Sequence, residues 1–214
     1  MSIRSGRVPS CADLSYLQSP GWARLADPKP GAACGGTGLT LMLTEQAPSF
    51  DLPGIDDRNH ALDDYGEAEA LVLIQSCNHC PYVQAWEQRI VAVQREYGER
   101  GVRIVAINSN DTTNHPEDSF EEMARRAERH GFNFDYLHDE DQSVARALGS
   151  ERTPEIFVFD RERKLVYHGA VDDSRDETLV NQRYLRDALD AVLEGRRPSI
   201  AEAAPVGCSV KWNL

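Results

Sequence analysis

The fold is decided by residues 71–81, which read Leu-Val-Leu-Ile-Gln-Ser-Cys-Asn-His-Cys-Pro. The four apolar residues at the start of this stretch are typical of a buried strand that ends in a turn. Beyond the second cysteine the apolar side chains recur at helical spacing, at Val83, Trp86, Ile90, Val93 and Tyr97. The stretch therefore predicts a strand over 71–75, a turn that carries two cysteines, and a helix over 81–97.

The turn brings Cys77 and Cys80 close together. A thiol at the beginning of a helix faces unpaired backbone N–H groups and the positive end of the helix dipole, and both favour the thiolate. The sequence predicts that Cys77 occupies this position and that Cys80 lies one turn further along, within disulfide distance. The pair is therefore a candidate for dithiol–disulfide exchange, in which Cys77 attacks and Cys80 resolves the mixed disulfide.

The rest of the pattern alternates between strands and helices. Further strands are predicted near residues 47–52, 102–107, 156–159 and 165–168, and further helices near residues 120–131, 142–148 and 179–193. Alternation of this kind indicates a parallel strand–helix–strand unit, and the closing hairpin adds antiparallel strands. The expected fold class is α/β, with a central mixed sheet flanked by helices.

The chain of 214 residues suits one domain with an extension at each end. Residues 1–41 hold four basic and two acidic side chains, are rich in Pro and Gly, and show no sustained period, which predicts a disordered extension. One hypothesis is that translation starts at Met42. Independently of that hypothesis, residues 42–195 form the predicted domain and 196–214 form a C-terminal extension.

The net charge and the lengths of the apolar segments indicate which binding partners and which cellular location to expect. The net charge of −12 makes nucleic acid and anionic membrane surfaces unexpected partners. No export signal and no apolar run of membrane-spanning length are visible, so a cytoplasmic location is expected. In a reducing compartment the five cysteines favour catalytic thiols over structural disulfides.

Several segments carry a resemblance to a known family. They are Ala47-Pro48-x-Phe50-x-Leu52, Cys77-Asn78-His79-Cys80-Pro81, Thr153-Pro154-Glu155-Ile156-Phe157-Val158-Phe159-Asp160, and Tyr167-His168-Gly169 with Asp172-Asp173. Over about residues 42–195 the chain resembles the thioredoxin fold. In detail it resembles the branch that joins the alkyl hydroperoxide reductase/thiol-specific antioxidant (AhpC/TSA) family to TlpA-like thiol–disulfide oxidoreductases.

The resemblance implies a redox-active dithiol at Cys77 and Cys80 and an antioxidant role in cell redox homeostasis. It implies no cofactor and no metal. The expected partners are protein or small-molecule disulfides, together with an electron donor that the sequence does not identify.

The resemblance also implies supporting roles around the dithiol. The Thr153–Pro154 bond is expected to be cis and to turn the Thr153 backbone toward a bound disulfide-containing chain, although an ordinary proline at a strand start is the alternative. Pro81 suits the first turn of a helix. Asn78 and His79 lie inside the dithiol loop. An imidazolium at His79 would stabilise the Cys77 thiolate and make the couple more oxidising than thioredoxin's; a solvated loop histidine is the alternative.

Two positions depart from the thioredoxin pattern. Thioredoxins carry a buried acid six residues before the first thiol, and that position here is Leu71. Glu155 is a candidate replacement, or else an exposed carboxylate at the strand end. Cys208 is a possible third redox thiol, or else packs beside Trp212 in the tail. No role is assigned to Cys11 and Cys34.

Three rival functions remain open. A peroxiredoxin would need the pattern Pro-x-x-x-Thr-x-x-Cys, and neither thiol fits, because the matching positions are Ala70 and Ile74 for Cys77, and Leu73 and Cys77 for Cys80. A metal site for zinc or copper(I) could use Cys77, His79, Cys80 and Cys208. A binding module that lost turnover is the third. The acidic pairs, including Asp172-Asp173, are predicted to lie in turns and on solvated faces.

Overall fold

The computed structural model describes residues 41–213, all within one compact unit of the chain. The predicted N-terminal extension therefore lies almost entirely outside the described residues, as do Cys11 and Cys34. Residues 196–213 belong to the compact unit. Across the described range, no helix combines the length and the apolar character needed to cross a bilayer.

A five-stranded mixed sheet forms the centre of the fold. In spatial order its strands are β5 (Asp135–His138), β4 (Val102–Asn108), β3 (Ala70–Ser76), β7 (Glu155–Phe159) and β8 (Leu165–Gly169). The β3, β4 and β5 strands are parallel, whereas β7 runs antiparallel to both β3 and β8. The α/β prediction with a mixed sheet is confirmed.

Two small ribbons flank this sheet. One pairs β1 (Asp51–Pro53) with β2 (Asn59–Ala61), and the other pairs β6 (Arg152–Thr153) with β9 (Cys208–Ser209). Both pairings are antiparallel. The second ribbon matters for the site, because it joins the C-terminal tail to the residue before Pro154.

The helices surround the sheet. They are α1 (Pro81–Tyr97), α2 (Phe120–His130), α3 (Ser143–Leu148) and α4 (Tyr184–Leu193), with 3-10 turns at Leu62–Tyr65, Gly98–Arg100, Pro116–Asp118 and Glu177–Leu179. The last helix begins later than predicted, since Leu179 lies in a separate 3-10 turn and is largely exposed. The short strand β5 was not predicted, because its two buried residues are too few to show a period.

Two apolar layers hold the central strand. All seven residues of β3 are buried. Val72 and Ile74 belong to a cluster with side chains of α1 and α4, whereas Leu71 and Leu73 belong to a second cluster. Successive side chains of a strand point to opposite faces, and both faces are covered here, so the strand reads as a continuous apolar run. The dithiol loop follows the carboxyl end of this buried strand.

A buried carboxylate ties α1 to the segment after β8. Asp172 accepts a hydrogen bond from the Trp86 indole N–H at 2.6 Å and pairs with the Arg89 guanidinium. The prediction that Asp172 belongs to a solvated turn is therefore wrong. Sequence spacing did not reveal the contact, because its partners lie more than eighty residues away along the chain.

Candidate active site

The dithiol loop joins β3 to α1. The helix begins at Pro81, and Cys80 is its N-cap residue. Proline suits the first helical position, because it lacks the N–H that would have no partner there and its φ is already helical. The prediction that Cys77 begins the helix is therefore wrong by three residues. The N–H groups and the dipole at the helix N-terminus therefore favour the thiolate of Cys80 rather than that of Cys77.

Both thiols are buried and face Thr153. Cys77 and Cys80 are 1% and 0% exposed, and both are free thiols. The Cys77 sulfur lies 3.5 Å from the Thr153 hydroxyl oxygen, and Cys80 in its neutral form donates to the Thr153 carbonyl oxygen at 3.1 Å. The residue before Pro154 thus contacts both sulfurs.

The two thiols differ in acidity because of their hydrogen bonds. Donation from the Cys77 thiol, and then from Cys208 and the Val83 backbone N–H, outweighs burial and lowers the pKa of Cys80 to about 4. The Thr153 carbonyl opposes this effect, since it can accept only from neutral Cys80. The hydrogen bond to Cys80, burial and the charge of Asp118 raise the pKa of Cys77. The hydrogen bond between the two thiols thus favours the thiolate at Cys80, and the role of Cys77 as the attacking thiol stays a prediction.

Asp118 anchors the dithiol loop and was missed by sequence reasoning. It is completely buried, and its carboxylate accepts from the backbone N–H groups of Asn78 and His79 at 2.7 and 3.2 Å and from the Asn110 amide at 2.7 Å. This carboxylate lies close to Cys77, whereas the position of the thioredoxin acid, Leu71, is apolar core. Asp118 follows a polar loop, and a loop has no helix or strand period from which its position near the dithiol could be predicted.

The predicted supporting residues of the loop are held in place by the same network. The Asn78 amide donates to the Glu117 carbonyl at 2.9 Å and accepts from the Tyr136 hydroxyl at 3.0 Å. His79 Nδ1 lies 2.6 Å from Asp118 Oδ2. Of the two interpretations of His79, a freely solvated ring is wrong, because this contact pairs the ring with a buried carboxylate.

Potential metal ligands meet in a different set from the one predicted. The ligand atoms of Cys77, His79 and Asp118 lie within 4.8 Å of one another, as do those of His79, His115 and Glu117. Within residues 41–213 neither group includes Cys80 or Cys208. The second set also stacks the rings of His79 and His115, with centroids 5.0 Å apart.

The Thr153–Pro154 peptide bond is cis, as predicted. Glu155 is 1% exposed, so the interpretation as an exposed carboxylate is wrong. Its carboxylate accepts from the backbone N–H groups of Glu151 and Arg152, both at 2.8 Å, and contacts His168 Nε2 at 2.6 Å. These contacts hold the loop that presents Thr153, and none of them reaches a thiol.

Cys208 lies beside the dithiol. In the β6–β9 ribbon it stands opposite Thr153, and its side chain packs against the buried cluster of Cys77, Cys80 and Val83. Trp212 lies under the Arg146 guanidinium, whose carbon is 4.8 Å from the ring centroid. Of the two interpretations of Cys208, the folded-back position next to the dithiol is the one observed; its redox role stays a prediction.

Known structures share this arrangement of elements. An uncharacterized conserved protein from Geobacillus kaustophilus is 42% identical, with a TM-score of 0.78, over 81% of this chain and 94% of its own. A hypothetical protein from Sinorhizobium meliloti 1021 is 35% identical, with a TM-score of 0.78, over 82% of this chain and 97% of its own. The chain spans nearly the full length of both proteins.

A more distant structure shows the fold alone. The peroxidoxin BcpB from Mycobacterium tuberculosis is 21% identical, with a TM-score of 0.57, over 73% of this chain and 99% of its own. The comparison with curated proteins gave no match. The model of the AhpC/TSA family matches residues 43–168, more than half of the chain, and supports a thiol-redox or peroxidase-type function. By this match the chain belongs to the AhpC/TSA family, as the dithiol loop and the Thr153–Pro154 pair had indicated.

Proposed function

We propose that this chain is a thiol–disulfide oxidoreductase whose redox couple is Cys77 and Cys80. The observation that carries the proposal is the direct contact of the two thiols at the β3–α1 junction, with Thr153 against both sulfurs. Two thiols in hydrogen-bonding contact need little movement to become a disulfide. The family match supports redox chemistry at a thiol and leaves the substrate open.

The proposed reaction begins with attack by Cys77. The Cys77 sulfur bonds to one sulfur of a substrate disulfide, the S–S bond of the substrate breaks, and the Cys77 proton is transferred to the other substrate sulfur, which leaves as a thiol. Cys80, as the thiolate, then attacks the Cys77 sulfur of the mixed disulfide. The second substrate sulfur leaves and takes up a proton from solvent. The protein thus gains a Cys77–Cys80 disulfide, and the substrate gains two electrons and two protons.

The surroundings of the two sulfurs support this division of roles. Cys77 lies near His79, whose ring is partly exposed, so a substrate approaching past that ring meets Cys77 first. Cys80 lies beneath Thr153 and Cys208. Cys80, which is fully buried and has a lowered pKa, is suited to the resolving step, which occurs inside the protein.

The partners belong to the same proposal. Protein or small-molecule disulfides are the proposed substrates, and a separate dithiol donor re-reduces the couple. A cytoplasmic location would keep the resting protein in the dithiol form.

The proposal is tested by trapping. Cys80→Ser should accumulate mixed disulfides through Cys77 when expressed in cells, and Cys77→Ser is the matched control that should capture far fewer. Oxidised glutathione supplies a defined substrate in vitro. Absence of a Cys77–Cys80 disulfide after its addition would refute the proposal. Rapid hydrogen peroxide turnover with slow glutathione reduction would favour the peroxidase alternative, and a stoichiometric metal ion resistant to chelation would favour the metal site.

A further inference from the structure

The C-terminal tail forms hydrogen bonds with the rest of the fold at several positions. Beyond α4 it runs beside β8, where the His168 N–H donates to the Ala201 carbonyl and the Ala203 N–H donates to the His168 carbonyl, both at 3.0 Å. Gly169 permits this approach, since a Cβ there would lie 1.9 Å from the Ala203 oxygen. The tail therefore reaches the dithiol along a defined path.

Residues that follow Cys208 anchor the end of the tail. The Val210 N–H donates to the Glu151 carbonyl at 3.1 Å, and the Lys211 N–H donates to the Asn110 side-chain oxygen at 2.9 Å. The buried Gln142 side chain donates to the Lys211 carbonyl at 2.9 Å. Contacts on both sides of Cys208 thus fix its position.

The absence of a side chain at Gly207 allows the tail to pass close to the dithiol. A Cβ at Gly207 would lie 2.1 Å from the Thr153 carbonyl oxygen, which is backbone and cannot swing aside. Glycine at 207 therefore lets the tail backbone pass directly against Thr153. The following residue, Cys208, is then brought opposite Thr153, whose carbonyl contacts Cys80.

Cys80 contacts both of the other thiols, and the three differ in exposure. Cys77 and Cys80 are 1% and 0% exposed, whereas Cys208 is partly exposed. Cys208 is therefore the most accessible of the three thiols, and an external dithiol can reach a disulfide that includes it more easily than the Cys77–Cys80 disulfide.

We propose that Cys208 is a third redox thiol, which attacks the Cys80 sulfur of the Cys77–Cys80 disulfide and forms a Cys80–Cys208 disulfide. The inference rests on the proposed function, because that function makes the first disulfide. One S–S bond forms and one breaks, Cys77 leaves as a thiol, and the proton lost by Cys208 is taken up by Cys77. No external oxidant takes part. The result is a free Cys77 and a disulfide that an external dithiol can reach.

The pKa of Cys208 fits this proton transfer. Burial, and then the contact with Cys80, raise the pKa of Cys208 to about 11. In the reduced protein Cys208 therefore holds its proton at neutral pH. Because the attack on the Cys77–Cys80 disulfide requires the Cys208 thiolate, the exchange should become faster as the pH rises.

Disulfide mapping tests the inference on the full chain. The reduced protein is oxidised with limiting diamide, quenched in acid, alkylated under denaturing conditions and digested for mass spectrometry. The wild type should contain both Cys77–Cys80 and Cys80–Cys208 disulfides. Cys77→Ser should still form the link between Cys80 and Cys208, and Cys208→Ser should contain the Cys77–Cys80 disulfide alone.

A second pair of variants tests the role of the tail path without removing a thiol. Gly207→Ala should push the tail from Thr153 and lose the Cys80–Cys208 link while keeping the Cys77–Cys80 disulfide. The neighbouring Ser209→Ala is the matched control and should keep both. Circular dichroism establishes that each variant is folded.

The outcomes separate the inference from the proposed function. A wild type that forms Cys77–Cys80 but never links Cys80 to Cys208 overturns the third-thiol role and leaves the dithiol couple standing. A wild type that forms no Cys77–Cys80 disulfide overturns both.

Discussion

His79 and Asp118 form the closest side-chain contact of the dithiol loop, with 2.6 Å between Nδ1 and Oδ2. Asp118 is fully buried, and it also accepts from the backbone of the loop itself. A single carboxylate therefore positions the loop between the two cysteines and places a negative charge near Cys77. Removing that charge should change both stability and thiol chemistry.

Replacing Asp118 tests this double role. Asp118→Asn should lower the free energy of unfolding by roughly 1–3 kcal/mol, because the amide nitrogen meets groups that donate. It should also lower the pKa of Cys77, since the charge that raises it is lost. Urea unfolding and thiolate absorbance measure the two effects. The half-exposed neighbour Glu117, as Glu117→Gln, is the control and should change stability by about 0.5 kcal/mol or less. Equal effects of the two substitutions would contradict the anchoring role.

The acidity of Cys80 should appear in the pH dependence of stability. The pKa of Cys80 is about 4 in the folded, reduced protein and about 8.5 for an unperturbed cysteine. A pKa depressed by folding adds stability that is present above pH ~8.5 and is lost as the pH falls toward 4. The stability gap between reduced wild type and Cys80→Ser should therefore be larger at pH 8 than at pH 5. A gap that does not change with pH would show that Cys80 is not the acidic thiol.

The redox potential should be more oxidising than the roughly −270 mV of thioredoxin. An ionised Cys80 stabilises the reduced protein at neutral pH, and a stabilised dithiol form makes the disulfide a stronger oxidant, by an amount on the order of tens of millivolts. Equilibration with glutathione buffers measures the potential. Cys208→Ser should be titrated in parallel to isolate the Cys77–Cys80 couple. A value below that of thioredoxin would contradict the prediction.

Glu155 should act through the Thr153 loop. Glu155→Gln places an amide nitrogen among groups that now donate to the carboxylate, so we expect a loss of about 1–3 kcal/mol in stability. We also expect slower reduction of oxidised glutathione, because the loop that presents Thr153 loses its anchor. Glu151→Gln, whose side chain is exposed, is the control. Unchanged stability and rate in Glu155→Gln would exclude this role.

Much of the fold was readable from local patterns. The apolar run of β3 and the helical spacing of α1 predicted both elements closely, and Pro81 marked the first residue of the helix. Patterns of this kind succeed because strand and helix periods are imposed by the backbone, whatever the partners. The end of the chain was harder to interpret, because β9 is a two-residue strand whose existence depends on Thr153 being opposite it.

The sequence by itself determined the family resemblance, the α/β order of elements and the pairing of two thiols three residues apart, since each depends on neighbours along the chain. Only the tertiary structure decided that Cys80 is the N-cap residue of the helix, that Asp118 holds the loop, and that Cys208 lies against Cys80. Those features depend on charges, carbonyls and sulfurs brought together from distant segments, and burial strengthens their interactions by removing water. Distance in space, which spacing along a chain does not encode, is the physical reason for the difference.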